Sequence, residues 1–63
     1  MRARVHFTDG GSGQFYDVDQ KEYEEYGDFI FIWTVGRKYL YGFPKERVVS
    51  IDFIWEEKEE INI

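Results

Sequence analysis

Phe29-Ile30-Phe31-Ile32-Trp33-Thr34-Val35 is the stretch on which the fold of this 63-residue chain turns. Apart from Thr34, every residue in it is apolar and β-branched or aromatic, a composition that suits a strand covered on both faces. The run is too short to cross a membrane, which takes about 20 apolar residues. Gly36-Arg37 follows as a turn, Lys38 to Phe43 returns as a strand, and a last strand, Val48 to Trp55, begins after Pro44. Proline cannot donate to a ladder, so Pro44-Lys45-Glu46-Arg47 is expected to form a single 3-10 turn.

Upstream, Ala3, Val5 and Phe7 alternate with Arg4, His6 and Thr8, the period of a strand with one buried and one solvated face. Asp9-Gly10-Gly11-Ser12-Gly13 supplies hairpin-loop chemistry, and Gln14 to Val18 returns as the second strand. The same glycines do not make a phosphate cradle, because Gln14 opens a strand rather than a helix and no lysine is near. Residues 19 to 28 read two ways. Asp19 and Glu22 have the spacing of a capping box and Tyr23 and Tyr26 sit three apart, which favours a short helical or 3-10 turn; strand followed by an acidic loop is the alternative. In the last strand Val49, Ile51, Phe53 and Trp55 form one apolar row. The expected fold is therefore all-β: a small five-stranded SH3-like barrel or strongly bent antiparallel sheet over residues 1–55, with an acidic C-terminal tail at 56–63.

Composition narrows the function. With no cysteine there is no thiolate nucleophile, disulfide or cysteine-based zinc site. A chain this short buries only about 60% of the surface it exposes when unfolded, yet 21% of its residues are Phe, Tyr or Trp. One small core cannot hold so many rings, so some are expected at an interface. The net charge of −5 argues against general duplex-DNA binding while permitting a local basic patch. No apolar run follows the charges of Met1 to His6, so no signal peptide is expected and the cytoplasm is the expected location.

Catalysis is not expected. His6 is the single histidine and has no obvious local metal partner, although Asp17 or Asp52 can approach it across a sheet. The carboxylates fall in two charge runs that do not match a calcium loop or a hydrolytic pair held in a cleft. Neither metal nor cofactor is expected. The informative segments are of another kind. Asp19, Glu22, Tyr23, Glu24, Glu25 and Tyr26 interleave negative charge with aromatic rings, a surface able to mimic nucleic acid toward a basic groove of another protein. Tyr41, Phe53, Ile54 and Trp55 are the candidates for a symmetric dimer interface. Arg2, Arg4, Arg37 and Lys38, with Tyr39 for stacking, are the residues that single-stranded nucleic-acid binding would use.

Three resemblances bear on these readings. Gly42-Phe43-Pro44-Lys45-Glu46-Arg47-Val48 resembles the SH3 signature of Gly, an apolar residue and Pro before a short turn and a Val, while Phe15-Tyr16-Asp17-Val18 echoes that family's Leu-Tyr-Asp-Tyr; no adjacent Trp pair follows. This implies shared barrel mechanics rather than proline-peptide binding. The strand plan is also similar to Sm-like proteins, without their N-terminal helix or RNA-pocket residues. Finally, Val5-His6-Phe7-Thr8-Asp9-Gly10, Phe29 to Ile32, Phe43-Pro44 and Val48-Val49-Ser50-Ile51 look like short β proteins of phages and prophages of Gram-positive bacteria. That last resemblance implies an inhibitor of a bacterial host or antiviral defence protein. The rivals are an Sm-like or cold-shock-like nucleic-acid binder and a structural component of a phage assembly.

Overall fold

A computed structural model describes residues 1–55. The expected tail at 56–63 lies outside the described residues. Six strands follow one another: β1 (Arg2–Phe7), β2 (Ser12–Phe15), β3 (Val18–Tyr26), β4 (Phe29–Thr34), β5 (Leu40–Pro44) and β6 (Val48–Ile54), with 3-10 turns at Val35–Arg37 and Lys45–Arg47. They form two three-stranded sheets, ordered β2-β1-β6 and β3-β4-β5, and every pairing is antiparallel. The all-β expectation holds in its bent-sheet form. No ladder joins the two sheets among the described residues, so the barrel is not closed.

The sixth strand comes from the segment expected to turn helically. Tyr23, Glu24, Glu25 and Tyr26 pair in register with Ile32, Phe31, Ile30 and Phe29, so residues 20–26 are strand. An isolated helical turn is costly to nucleate, whereas β4 offers a full edge of unpaired backbone groups that need partners. The Asp19 carboxylate, positioned by sequence to cap a helix, instead accepts from the Lys21 N–H at 3.0 Å, a local turn. The register shifts between Val18 and Tyr23, and such irregularities bend a strand.

The core lies between the sheets. Ala3 and Val5 from one sheet meet Val18, Ile30, Ile32 and Phe43 from the other, all buried. Aromatic rings close the margins: Phe15 lies 4.9 Å from Tyr41 and 5.1 Å from Phe43, and Tyr23 meets Phe53 edge-on at 6.0 Å. These rings join β2 and β6 to the opposite sheet, where no backbone ladder does.

Hydrogen bonds outside the ladders tie the corners. Val18 N–H donates to Met1 O at 3.0 Å, Val35 N–H to Asp17 O at 2.9 Å and Lys45 N–H to Asp28 O at 2.8 Å. The hairpin loop behaves as expected, with Phe7 N–H bound to Gly11 O and Gly11 N–H to the Asp9 carboxylate. The 3-10 turn after Pro44 is also present, with extended Pro44 preceding it and pairing with Phe29 on an edge strand, where its missing N–H costs nothing. In β6 the expected row is broken. His6 opposes Ser50 but Phe7 opposes Val48, so Val49 is bulged out and 65% exposed, and Val48 takes its place against the core.

Thr34 is the one buried polar residue among the described residues. Its hydroxyl accepts from the Tyr39 N–H at 2.9 Å and lies 3.4 Å from Tyr39 O, closing the β4–β5 turn. Thr34→Val keeps the shape and orphans that N–H. It is expected to cost about 1–3 kcal/mol, read as a lower urea midpoint with an unchanged slope.

Candidate functional site

Strict alternation along β4 sends Ile30, Ile32 and Thr34 inward and Phe29, Phe31 and Trp33 outward. Residues directly opposite in an antiparallel ladder share a face, so the register assembles the outer surface of the second sheet in rows. Glu24, Phe31 and Gly42 form one, Tyr26, Phe29 and Pro44 another, and Trp33 stands beside Leu40. The result is an aromatic centre on the middle strand, a carboxylate and a tyrosine along β3 and small or aliphatic residues along β5. Phe29 and Phe31 stack with centroids 6.1 Å apart. Phe31 lies over Gly42, where an added Cβ would come within 3.1 Å of the ring, so the glycine is what lets the ring lie flat on the sheet. Phe29 and Leu40 are 47% and 45% exposed.

The turn after β4 completes this face. Gly36 and Arg37 both have left-handed backbone, at φ 75 and φ 54, an arrangement that costs a non-glycine residue free energy. The turn carries the Arg37 guanidinium to 4.6 Å from the centre of the Trp33 ring, with its Nε 4.0 Å from a Glu22 carboxylate oxygen.

The acidic-aromatic segment is divided by the same alternation. Glu24 and Tyr26 sit on the outer face, and Glu22 reaches it through Arg37. Tyr23 packs against the core, and its hydroxyl donates to Glu25 at 2.8 Å while Lys45 Nζ lies 3.3 Å from the other Glu25 oxygen. Burial, then the hydrogen bond to Glu25 and its charge, push the Tyr23 phenol up. The hydrogen bond from Tyr23, followed by Lys45, holds the Glu25 carboxyl below its ordinary value. A carboxylate with a depressed folded-state pKa contributes stability that is present above the unfolded value and lost as pH falls through the folded one. Glu25→Gln is therefore expected to flatten the loss of stability on acidification through the carboxylate range, measured as urea midpoint against pH.

The four residues expected at a dimer interface also separate. Tyr41 and Phe53 are half-buried against the core, Ile54 lies opposite Arg2 on the outside of the first sheet, and Trp55 is 75% exposed beyond β6. The four do not form one patch. A row of outward-facing aromatic residues is formed instead by half-exposed Phe29 with the partly buried Phe31 and Trp33, which sequence reading placed inside a doubly covered strand. An unbroken apolar run carries no period-2 signal, so nothing in it marks which alternate residues face out.

The nucleic-acid candidates lie on different sheets. Arg2 and Arg4 are on the outer face of the first, where Arg2 donates to Gln14 at 2.7 Å. Arg37, Lys38 and Tyr39 are at the β4–β5 turn. Near that turn Tyr16, Lys38, Tyr39 and Tyr41, with the acidic Asp17, line an open cleft of about 420 Å³. His6 Nε2 stands 3.1 Å from an Asp52 carboxylate oxygen, with Ser12 and Ser50 opposite it in the ladders. Both partners are solvent-exposed on an open sheet face, which gives a bound substrate no enclosure. Among the described residues no three His, Cys, Asp or Glu side chains gather as metal ligands, and no helix is long and apolar enough to cross a membrane.

Fold and surface together define a small all-β protein of two facing antiparallel sheets, one presenting an aromatic face bordered by acids. No protein-family model matches the chain, and no curated protein or solved structure matches it either.

Proposed function

We propose that this protein is a non-enzymatic protein-interaction module that docks through the outer face of β3, β4 and β5. The observation that carries the reading is the row of Phe29, Phe31 and Trp33 on the middle strand of a sheet, bordered by Glu22 and Glu24. Apolar centres with a charged rim are the anatomy of protein interfaces, and aromatic anchors dominate their energetics. A central strand paired on both sides holds those rings at little further entropic cost on binding. The acidic border, with a net charge of −5, selects a basic surface on the partner and steers encounter with it.

The resemblance to small phage proteins extends this reading. The partner is then a bacterial host or antiviral defence protein, whose basic or substrate-binding site is occluded in the host cytoplasm. Self-association through the same face, giving a homodimer, is the competing use of the surface. A second reading, single-stranded nucleic-acid binding, draws on the tyrosine cleft beside Lys38, because aromatic rings flanked by cations stack bases.

The test is capture by tagged protein from source-cell lysate, with and without nuclease, alongside sedimentation of the purified chain across concentration. A defined protein that survives nuclease supports the docking module. Nucleic acid in the eluate, with bands that vanish on digestion, overturns it in favour of the second reading. A concentration-dependent dimer that Phe29→Ser disrupts assigns the face to self-association.

A further inference from the structure

We infer that the Trp33 ring and the Glu22 carboxylate form a seat for a guanidinium side chain of the partner, and that Arg37 is an internal occupant which that side chain displaces. The inference rests on the outer face being the docking surface, and it names the chemistry of the anchor. A guanidinium is attracted to an indole face and to a carboxylate at once, since it is planar, permanently charged and weakly hydrated. Arg37 demonstrates the fit, with its guanidinium 4.6 Å from the ring centre and 4.0 Å from Glu22.

Three features make that occupant exchangeable. The Glu22 contact is long, at the limit of an ion pair, and both side chains are substantially exposed, so the attraction is screened. Arg37 holds its place from a left-handed backbone position at φ 54, which favours glycine and offsets part of what the contact contributes. The seat also adjoins Leu40 and Phe31 on the same face, so a partner arginine with an apolar neighbour engages more of the sheet than Arg37 does alone. An occupied seat keeps the indole covered until a stronger cationic anchor arrives, which disfavours weak partners.

The experiment uses acetyl-Gly-Arg-Leu-amide and its citrulline counterpart, followed by Trp33 fluorescence in a Trp55→Phe background. Arg37→Gly is expected to tighten the arginine peptide by about fivefold, because it removes both the competing cation–π contact and a like charge. Arg37→Gln, which keeps a side chain on the same backbone, is expected to give a similar gain. Adding Glu22→Gln to either variant should reverse it, and the citrulline peptide should show no gain. Equal affinity of the two peptides, or no gain from either Arg37 variant with the fold intact by circular dichroism, would overturn the seat. The docking reading is scored separately. A captured partner whose affinity ignores Arg37→Gly and Glu22→Gln removes the seat and leaves the face, whereas peptide gain with no capturable protein upholds the seat and removes the module.

Discussion

Ile32→Ala is expected to lower the unfolding free energy by about 2–5 kcal/mol, the usual range for truncating a buried branched aliphatic residue. Ile32 is completely buried on the middle strand of its sheet and is the largest of the fully enclosed side chains among the described residues. It stands between Tyr23 and Tyr41 in the ladder, so neighbouring side chains are already committed and cannot collapse into the space. At roughly 0.05–0.15 kcal/mol per residue, a domain of this length has a total stability of about 3–9 kcal/mol, and the loss takes a large share of it. Urea denaturation followed by tryptophan fluorescence gives the number. Ile32→Val, expected to cost about 0.5–1.5 kcal/mol, supplies a graded control. A midpoint for Ile32→Ala equal to that of the parent would show that the two sheets do not pack on this residue.

The second large effect is on binding. Phe29→Ser combined with Leu40→Ser is expected to weaken partner binding by about 30-fold or more, the effect of losing about 2 kcal/mol, which truncating even one interface anchor costs. Stability should change little, since both residues are nearly half exposed on the outer face and neither belongs to the core. Val49→Ser is the matched control. That residue is more exposed still, but it sits on the bulge of β6 in the other sheet, and it should leave binding unchanged. Surface plasmon resonance with the captured partner reads both. If the Val49 variant weakens binding as much as the double variant does, the docking surface lies on the first sheet.

The pairing of expected effects follows from one strand. Phe29 to Thr34 supplies the centre of the core from one set of alternate positions and the centre of the proposed docking face from the other. Changes two residues apart along β4 therefore act on the same property, and adjacent changes act on different ones. This is why Ile32 and Phe31, neighbours in the chain and both large and apolar, belong to separate experiments.

Much of the fold was legible in the residues themselves. Alternation in residues 3–8 marked β1 because polar residues separate its two faces, and the Gly-rich loop and Pro44 located turns because both residue types restrict or release φ. The all-β class, the first hairpin and the 3-10 turn before β6 all follow from such local chemistry. What only the tertiary structure decided is equally specific. Residues 19–26 carry helix-capping spacing and enough strand formers for either state, and the unpaired edge of β4 chose strand. Val48 and Val49 are chemically alike, and the bulge opposite His6 and Phe7 chose which of them faces the core. Phe29, Phe31 and Trp33 are as apolar as their buried neighbours, so their outward placement, half-exposed at Phe29 and partly buried at Phe31 and Trp33, was set by how many strands there were to cover them. Local chemistry determines where the chain extends and where it turns; which face of an apolar strand is left uncovered depends on surface area supplied by the rest of the fold, and the described residues supply enough for one face only.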